Sequence, residues 1–310
     1  MNARSVLGAL SFVVLGLLIW NLRWVLLVLF GAVVIAVALD VLIVQLQSRS
    51  RLSRPQALVL DVLMLILAGA LIGSRLFPEL VLQIQQLGQD LPELVNKISS
   101  ILSGDPRLQE LEESINGSLN FERLQPIGAQ LLGVAGGAAN SLVQAFLMAL
   151  LAVLLALDPQ AHRNMLLAIT PRPARDQMGA LLSDCRSALG GWLAGMTISA
   201  LTVFLMTWAG LALLKAPLAL LSALVCGLLT FVPTIGPTAA TLLPTGLALL
   251  QSPQLMVTVL MFRLVLQNLE AFLLTPLLLR KTVNLLPTVA LMAQLSLGAL
   301  LGLPGVLLAL

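Results

Sequence analysis

Few side chains in this 310-residue sequence can do chemistry, and the informative ones lie inside apolar runs. "MFRLVLQNLEAFLLTP" (Met261–Pro276) carries Arg263, Gln267 and Glu270 at gaps of four and three. That spacing puts all three on one face of a helix, with Asn268 flanking it. Ionisable groups at bilayer depth are costly and mark either a pathway or an internal pair. The stripe therefore has two readings: the wall of a substrate or ion pathway, or a polar clamp between helices. By spacing, Arg263 reaches Gln267 directly and Glu270 only through an intermediary. Asp40 and Asp61 are weaker candidates, each one or two turns from the basic loop Gln45–Pro55. They read as interfacial carboxylates paired with Arg49, Arg51 or Arg54, or as proton or cation sites.

A second feature is the stretch "TFVPTIGPTAATLLPTG" (Thr230–Gly246), with Pro233, Pro237 and Pro244 beside Gly236 and Gly246. Proline removes a backbone donor and costs about 3 kcal/mol in a helix interior. Within a membrane, broken backbone persists only where it is buried in protein or lines a cavity, and transporters use such breaks to bind solutes and ions. Thr230, Thr234, Thr238 and Thr241 add hydroxyls beside the break. The apolar run Thr238–Leu250 is short for a span, so a re-entrant or tilted half-helix fits it. A plain turn between two short helices is the alternative.

Other chemistry is missing from the sequence. It has no H-E-x-x-H, P-loop, G-x-S-x-G or metal-spaced Cys/His cluster. An enzyme, a metal centre and a cofactor are accordingly not expected. His162 reads as solvated, and Cys185 and Cys226 lie in different segments and read as buried thiols. The net charge of +3 does not point to nucleic acid.

The elements that must position these residues follow from composition. Charged residues are 10% of the chain and apolar residues 59%, where a soluble domain carries about 25% charged residues. The fold class is an all-α polytopic membrane protein in contact with the lipid bilayer. A span needs about 20 apolar residues. Ser5–Leu22, Trp24–Val44, Gln56–Ser74, Val134–Leu157 and Leu189–Leu211 qualify, the first two separated only by Arg23. Leu218–Val232, Thr238–Leu250, Leu255–Thr275 and Leu286–Leu301 follow as a less regular set. The expectation is about seven to eight membrane helices, with interrupted or re-entrant segments in the C-terminal half.

Arginines orient the chain. Gln45–Pro55 holds Arg49, Arg51 and Arg54, the loop Asp158–Ser187 holds Arg163, Arg172, Arg175 and Arg186, and Arg280–Lys281 follows. With alternating spans these share one face, which the positive-inside rule makes cytoplasmic, together with the N-terminus. Leu76–Gln125 then lies outside, with eight acids against three bases. Its Leu80, Ile84, Leu87, Leu91, Leu94, Ile98 and Ile101 form a heptad seam, interrupted at Pro92. The seam either faces a partner in an oligomer or packs on the chain's own membrane domain. The organisation read from the sequence has four parts. Residues 1–75 are an N-terminal membrane hairpin plus third span, and 76–127 an extracytoplasmic amphipathic helical region. Residues 128–187 are the fourth span and cytoplasmic linker, and 188–310 a C-terminal transport unit with Pro/Gly-broken helices.

Several motifs together resemble one family. "FVPTIGPTAATLLPTGLALL" is similar to the Pro-x-x-Gly-Pro segment of the autoinducer-2 exporter family, also called PerM-like permeases. "RSALGGWLAG" (Arg186–Gly195) resembles its Gly-Gly-aromatic segment, "LQNLEAFLLTP" (Leu266–Pro276) its Gln-x-x-Glu…Thr-Pro segment, and Leu285–Leu310 its Gly-rich final segment. The resemblance implies a secondary transporter of the bacterial inner membrane and a homo-oligomer. It implies export of a small organic solute such as autoinducer-2, by an ion- or gradient-coupled mechanism. The alternative it implies is sodium or lithium/proton antiport. A non-transporting membrane scaffold is the reading from another class. Carried over by position, Pro233, Gly236, Pro237, Gln267, Glu270, Thr275 and Pro276 are the family-like residues; Thr234, Arg263 and Asn268 join them on the pathway by the reading above. Met196, Ala271, Phe272, Leu286 and Val41 stand where the family often has Gln, Gly, Asn, His and Pro, which makes the implied lining more apolar.

Overall fold

A computed structural model of the chain describes residues 3–103, 138–232, 235–274, 287–301 and 305. Among these the regular structure is helical, with short turns between helices and no strand. The elements are α1 (Ala3–Arg49), α2 (Arg54–Ser103), α3 (Ala138–Leu157), α4 (Pro159–Ile169), α5 (Arg175–Leu213), α6 (Ala219–Leu229), α7 (Ile235–Gln251), α8 (Pro253–Leu269) and α9 (Pro287–Leu301). A 3-10 turn, Arg172–Ala174, precedes α5, and a π turn, Glu270–Leu274, follows α8. Four described helices are long and apolar enough to cross a membrane, or five counting one bent pair. Exposed Leu65, Ile66, Leu67 and Leu71 on α2 give it the apolar surface that lipid requires. α6, with 11 residues, reaches about 16 Å and falls short of a 30 Å crossing.

The helices depart from the sequence reading where one residue or one proline was asked to break them. Ser5–Leu22 and Trp24–Val44 are a single 47-residue helix. Arg23 is a good helix former with no Gly or Pro beside it, and nothing there turns the chain. The expected N-terminal hairpin is therefore one long helix. The cytoplasmic N-terminus, which rested on a turn at Arg23, loses that support. α2 likewise stays helical through Pro78 and Pro92 for 50 residues, so no break occurs at 75/76 or at Pro92.

The contacts around those prolines explain their tolerance. Leu80, Ile84 and Leu87 pack against a buried cluster of Leu218, Leu221 and Leu247. Gln83 Oε1 accepts from the Leu221 N–H (2.8 Å), filling an orphan donor in the first turn of α6. Lys97 Nζ donates to the Leu250 carbonyl (3.0 Å) in the last turn of α7. This half of the seam thus packs on its own chain.

The segment expected as a loop at Asp158–Ser187 is largely helical. Asp158 caps α4, accepting from the Ala161 N–H at 3.0 Å, and Pro159 takes the first helical position. This Asp-Pro pair lets α3 and α4 meet at 87°. The chain divides into two compact units, Met1–Asp61 with Leu142–Gly190 and Asn284–Leu310, and Val62–Ser141 with Gly191–Val283.

Candidate functional site

In the second unit the polar stripe of α8 meets α5. Arg263 is 2% exposed and Glu270 9% exposed, so both charged groups are buried. Arg263 Nη1 donates to Thr207 Oγ1 at 2.9 Å, and Ser199 Oγ donates to Glu270 Oε1 at 3.2 Å. The eight-residue gap from Ser199 to Thr207 matches the seven-residue gap from Arg263 to Glu270 on an antiparallel neighbour. Buried Val203 and Leu266 lie between the two polar contacts in sequence. Among the described residues no ion pair joins Arg263 to Glu270, and no hydrogen bond joins Arg263 to Gln267. The direct Arg263–Gln267 pair expected from spacing is replaced by the Thr207 hydroxyl across the helix interface. Gln267 is half-buried on the same face, whereas Asn268 is exposed and bonds its own backbone at the Leu264 carbonyl (2.7 Å).

Two local features shape this face. Glu270 begins the π turn, and widened turns of this kind leave backbone groups free and recur at functional sites. A side chain at Gly210 would run into the Phe262 ring, so its absence lets α5 and α8 approach beside the Thr207–Arg263 contact.

The proline-broken stretch lies next to this in the same unit. Pro244 sits inside α7 and has no N–H for the Ala240 carbonyl four residues back. Cys226 Sγ, buried on α6, donates to that carbonyl at 3.2 Å. A neighbouring helix thus repairs the break that lipid could not. Pro237 falls in the first turn of α7, where a missing N–H costs little, and its carbonyl accepts from Thr241 Oγ1 at 3.1 Å. Gly236 lies against the Leu229 carbonyl, and any Cβ there would overlap it. Glycine is therefore required for the tight connection from α6 to α7. Three buried polar atoms of this unit have no partner among the described residues: Ser222 Oγ, Thr245 Oγ1 and Arg263 Nε. Pro233, Thr234, Thr275 and Pro276 lie outside the described residues.

The first unit holds Asp40 and Asp61. Both Asp40 oxygens are taken: Oδ1 by Arg54 Nη2, and Oδ2 by Arg186 through Nε (2.7 Å) and Nη2. Arg54 also donates through Nε (3.0 Å) and Nη2 (2.8 Å) to the Ala156 carbonyl near the end of α3. Asp40 is thus the centre of a clamp, with its charge already matched by two guanidinium groups. Asp61 is buried, and its Oδ2 has no partner among the described residues. No group of three or more His, Cys, Asp or Glu side chains suited to a metal occurs among the described residues.

Sequence reasoning missed Ser199, Thr207, the role of Cys226, and Arg186 on Asp40. For the first two a signal existed: two hydroxyls two turns apart in an apolar run, matching the charge spacing in the later stripe. Cys226 and Arg186 contact partners 14 and 146 residues away, and local periodicity carries no trace of such pairings.

The family model described as AI-2E family transporter matches residues 7–310. No match is found among the curated proteins. The chain belongs to the AI-2E transporter family; it is a multi-pass membrane protein of the transporter or permease class.

Proposed function

From that membership we propose a secondary transporter of the inner membrane that exports a small organic solute of the autoinducer-2 type. In this reading Ser199, Thr207, Arg263, Gln267 and Glu270 form the polar wall of the pathway. Gly236, Pro237 and the broken hairpin α6–α7 supply the irregular backbone beside it; Pro233, Thr234, Thr275 and Pro276 are assigned to the pathway from the sequence alone.

One observation carries this reading. Arg263 and Glu270 are buried opposite charges seven residues apart, yet each is held by a neutral hydroxyl of α5 rather than by the other. A structural clamp gains most from direct pairing, because burying two separated charges costs several kcal/mol each. Charges held apart by hydroxyls suit a site that exchanges partners with a passing solute or proton. Ser222 Oγ, Thr245 Oγ1 and Arg263 Nε, without partners among the described residues, supply further polar atoms in the same unit.

Sodium or lithium/proton antiport is the second reading, favoured by Glu270 having one neutral hydroxyl as its hydrogen-bond partner among the described side chains. The two readings separate in liposomes. Efflux of preloaded autoinducer-2 from vesicles holding the protein supports export. Cation-driven movement of a trapped pH dye without such efflux supports antiport. Neither flux, with inserted and folded protein, removes both and leaves the scaffold. We read the arginine-rich end as cytoplasmic, the α2 segment beyond residue 76 as extracytoplasmic, and the assembly as a homo-oligomer. Gly69 and Gly73 of α2, which have nothing within 4 Å of an added Cβ among the described residues, support close helix approach in such an assembly.

A further inference from the structure

The first unit contains a site that transport through the second does not use. A cavity of about 610 Å³ is lined by Arg54, Arg163 and Arg186 with Asp40, Asp158 and His162. The rest of its wall is apolar and includes Val37, Leu155, Leu166 and Leu182. Three guanidinium groups against two carboxylates leave one unmatched positive charge.

That charge is available. Among the described residues Arg163 is in no ion pair, and its one hydrogen bond is a long contact of Nη2 to the Gly179 carbonyl (3.3 Å). Gly179 keeps the room for it, since a Cβ there would meet Nη2 at 2.8 Å. The Arg186 side chain is 54% exposed although the carboxylate it holds is 6% exposed. Its guanidinium therefore covers Asp40 with one edge and leaves Nη1 without a partner among the described residues.

We propose that this cavity binds the phosphodiester headgroup of an anionic lipid, with the first acyl carbons along the apolar wall. Planar guanidinium forks match phosphate oxygens in geometry and charge. Basic pockets between membrane helices on the cytoplasmic side are suited to acidic headgroups. A phosphodiester carries one negative charge and meets the one unmatched positive charge. A free phosphate shares the headgroup chemistry but leaves the apolar wall facing water.

The test titrates the purified full chain in neutral detergent with three probes: dihexanoyl-phosphatidylglycerol, dihexanoyl-phosphatidylcholine and inorganic phosphate. Binding is read from the shift in thermal unfolding, which grows with ligand occupancy. The phosphatidylglycerol probe should bind about tenfold more tightly than the choline probe, as expected for charge-assisted hydrogen bonds. Arg163→Gln should lose that factor. Arg175→Gln should not, because Arg175 points to the Thr170 and Ala168 carbonyls and does not line the cavity. If Arg163→Gln does not fold, Arg163→Lys keeps the charge without the fork and should still lose about threefold. Equal affinity for the two lipids overturns the proposal, as does inorganic phosphate binding as well as phosphatidylglycerol. So does wild-type affinity in the Arg163 variant, or an equal loss in Arg175→Gln, which would mark general surface attraction.

Discussion

Pro244 has no N–H to give the Ala240 carbonyl, and Cys226 donates its S–H instead across the α6–α7 contact. A thiol is a weak donor, but leaving a buried carbonyl unpaired costs about 1–3 kcal/mol. Cys226→Ser keeps a donor of similar size and should leave thermal unfolding in detergent close to wild type. Cys226→Ala removes it and opens a small void, and should destabilise by about 1–3 kcal/mol. Equal unfolding temperatures for the two variants would mean that the thiol only fills space. At this scale the sequence was half informative. The Arg263–Gln267–Glu270 face was readable because helical spacing alone determines it, and the burial of Arg263 and Glu270 agrees with it. What holds those charges was not readable, because Ser199 and Thr207 lie 71 and 56 residues upstream of their partners, on another helix.

Between elements, the connection from α6 to α7 depends on glycine at one point. The chain tightens after Leu229, with Val232 N bonding the Leu229 carbonyl (3.0 Å) and Gly236 N bonding the Val232 carbonyl (2.9 Å). Gly236 then lies against the Leu229 carbonyl oxygen, a backbone atom that cannot swing aside. Gly236→Ala should therefore cost about 1–3 kcal/mol, the range for forced overpacking. Gly73→Ala, where nothing among the described residues lies within 4 Å, should be near neutral for the fold of one chain. A Gly236 variant as stable as wild type would contradict the close approach. The Pro/Gly pattern announced an irregular connection here, since few other backbones use those residues. The long helices were harder to read. Arg23 looks like a boundary by charge, yet helix propensity carries α1 across it. Pro92 looks like a break, yet contacts from Leu80 to Lys97 hold α2 together.

For the molecule as a whole, the continuity of α1 changes the expected topology. If the Arg49–Arg54 end is cytoplasmic, a single crossing by α1 carries its N-terminal end to the outer face. Single cysteines added at position 2 and position 50, in a chain lacking Cys185 and Cys226, should differ in labelling by an impermeant maleimide applied outside. Position 2 should label and position 50 should not. Equal protection of both would restore the hairpin read from the sequence. A membrane protein was legible from its 10% charge, and its helical spans from apolar runs of about 20 residues. Which helices cross fully was not legible. Crossing depends on helix continuity and on tertiary partners such as the α2 contacts that support the short α6.

In the proposed function the buried face between α5 and α8 carries the flux. The most direct measurement is autoinducer-2 efflux and cation-driven dye response in liposomes holding equal amounts of wild type or Glu270→Gln. The variant's insertion and unfolding temperature are checked first. Whichever flux wild type supports should fall at least about tenfold in the variant, the loss expected when a charge-assisted hydrogen bond is removed. A folded Glu270→Gln protein transporting at the wild-type rate would contradict it, and would return the Arg263–Glu270 face to a structural role.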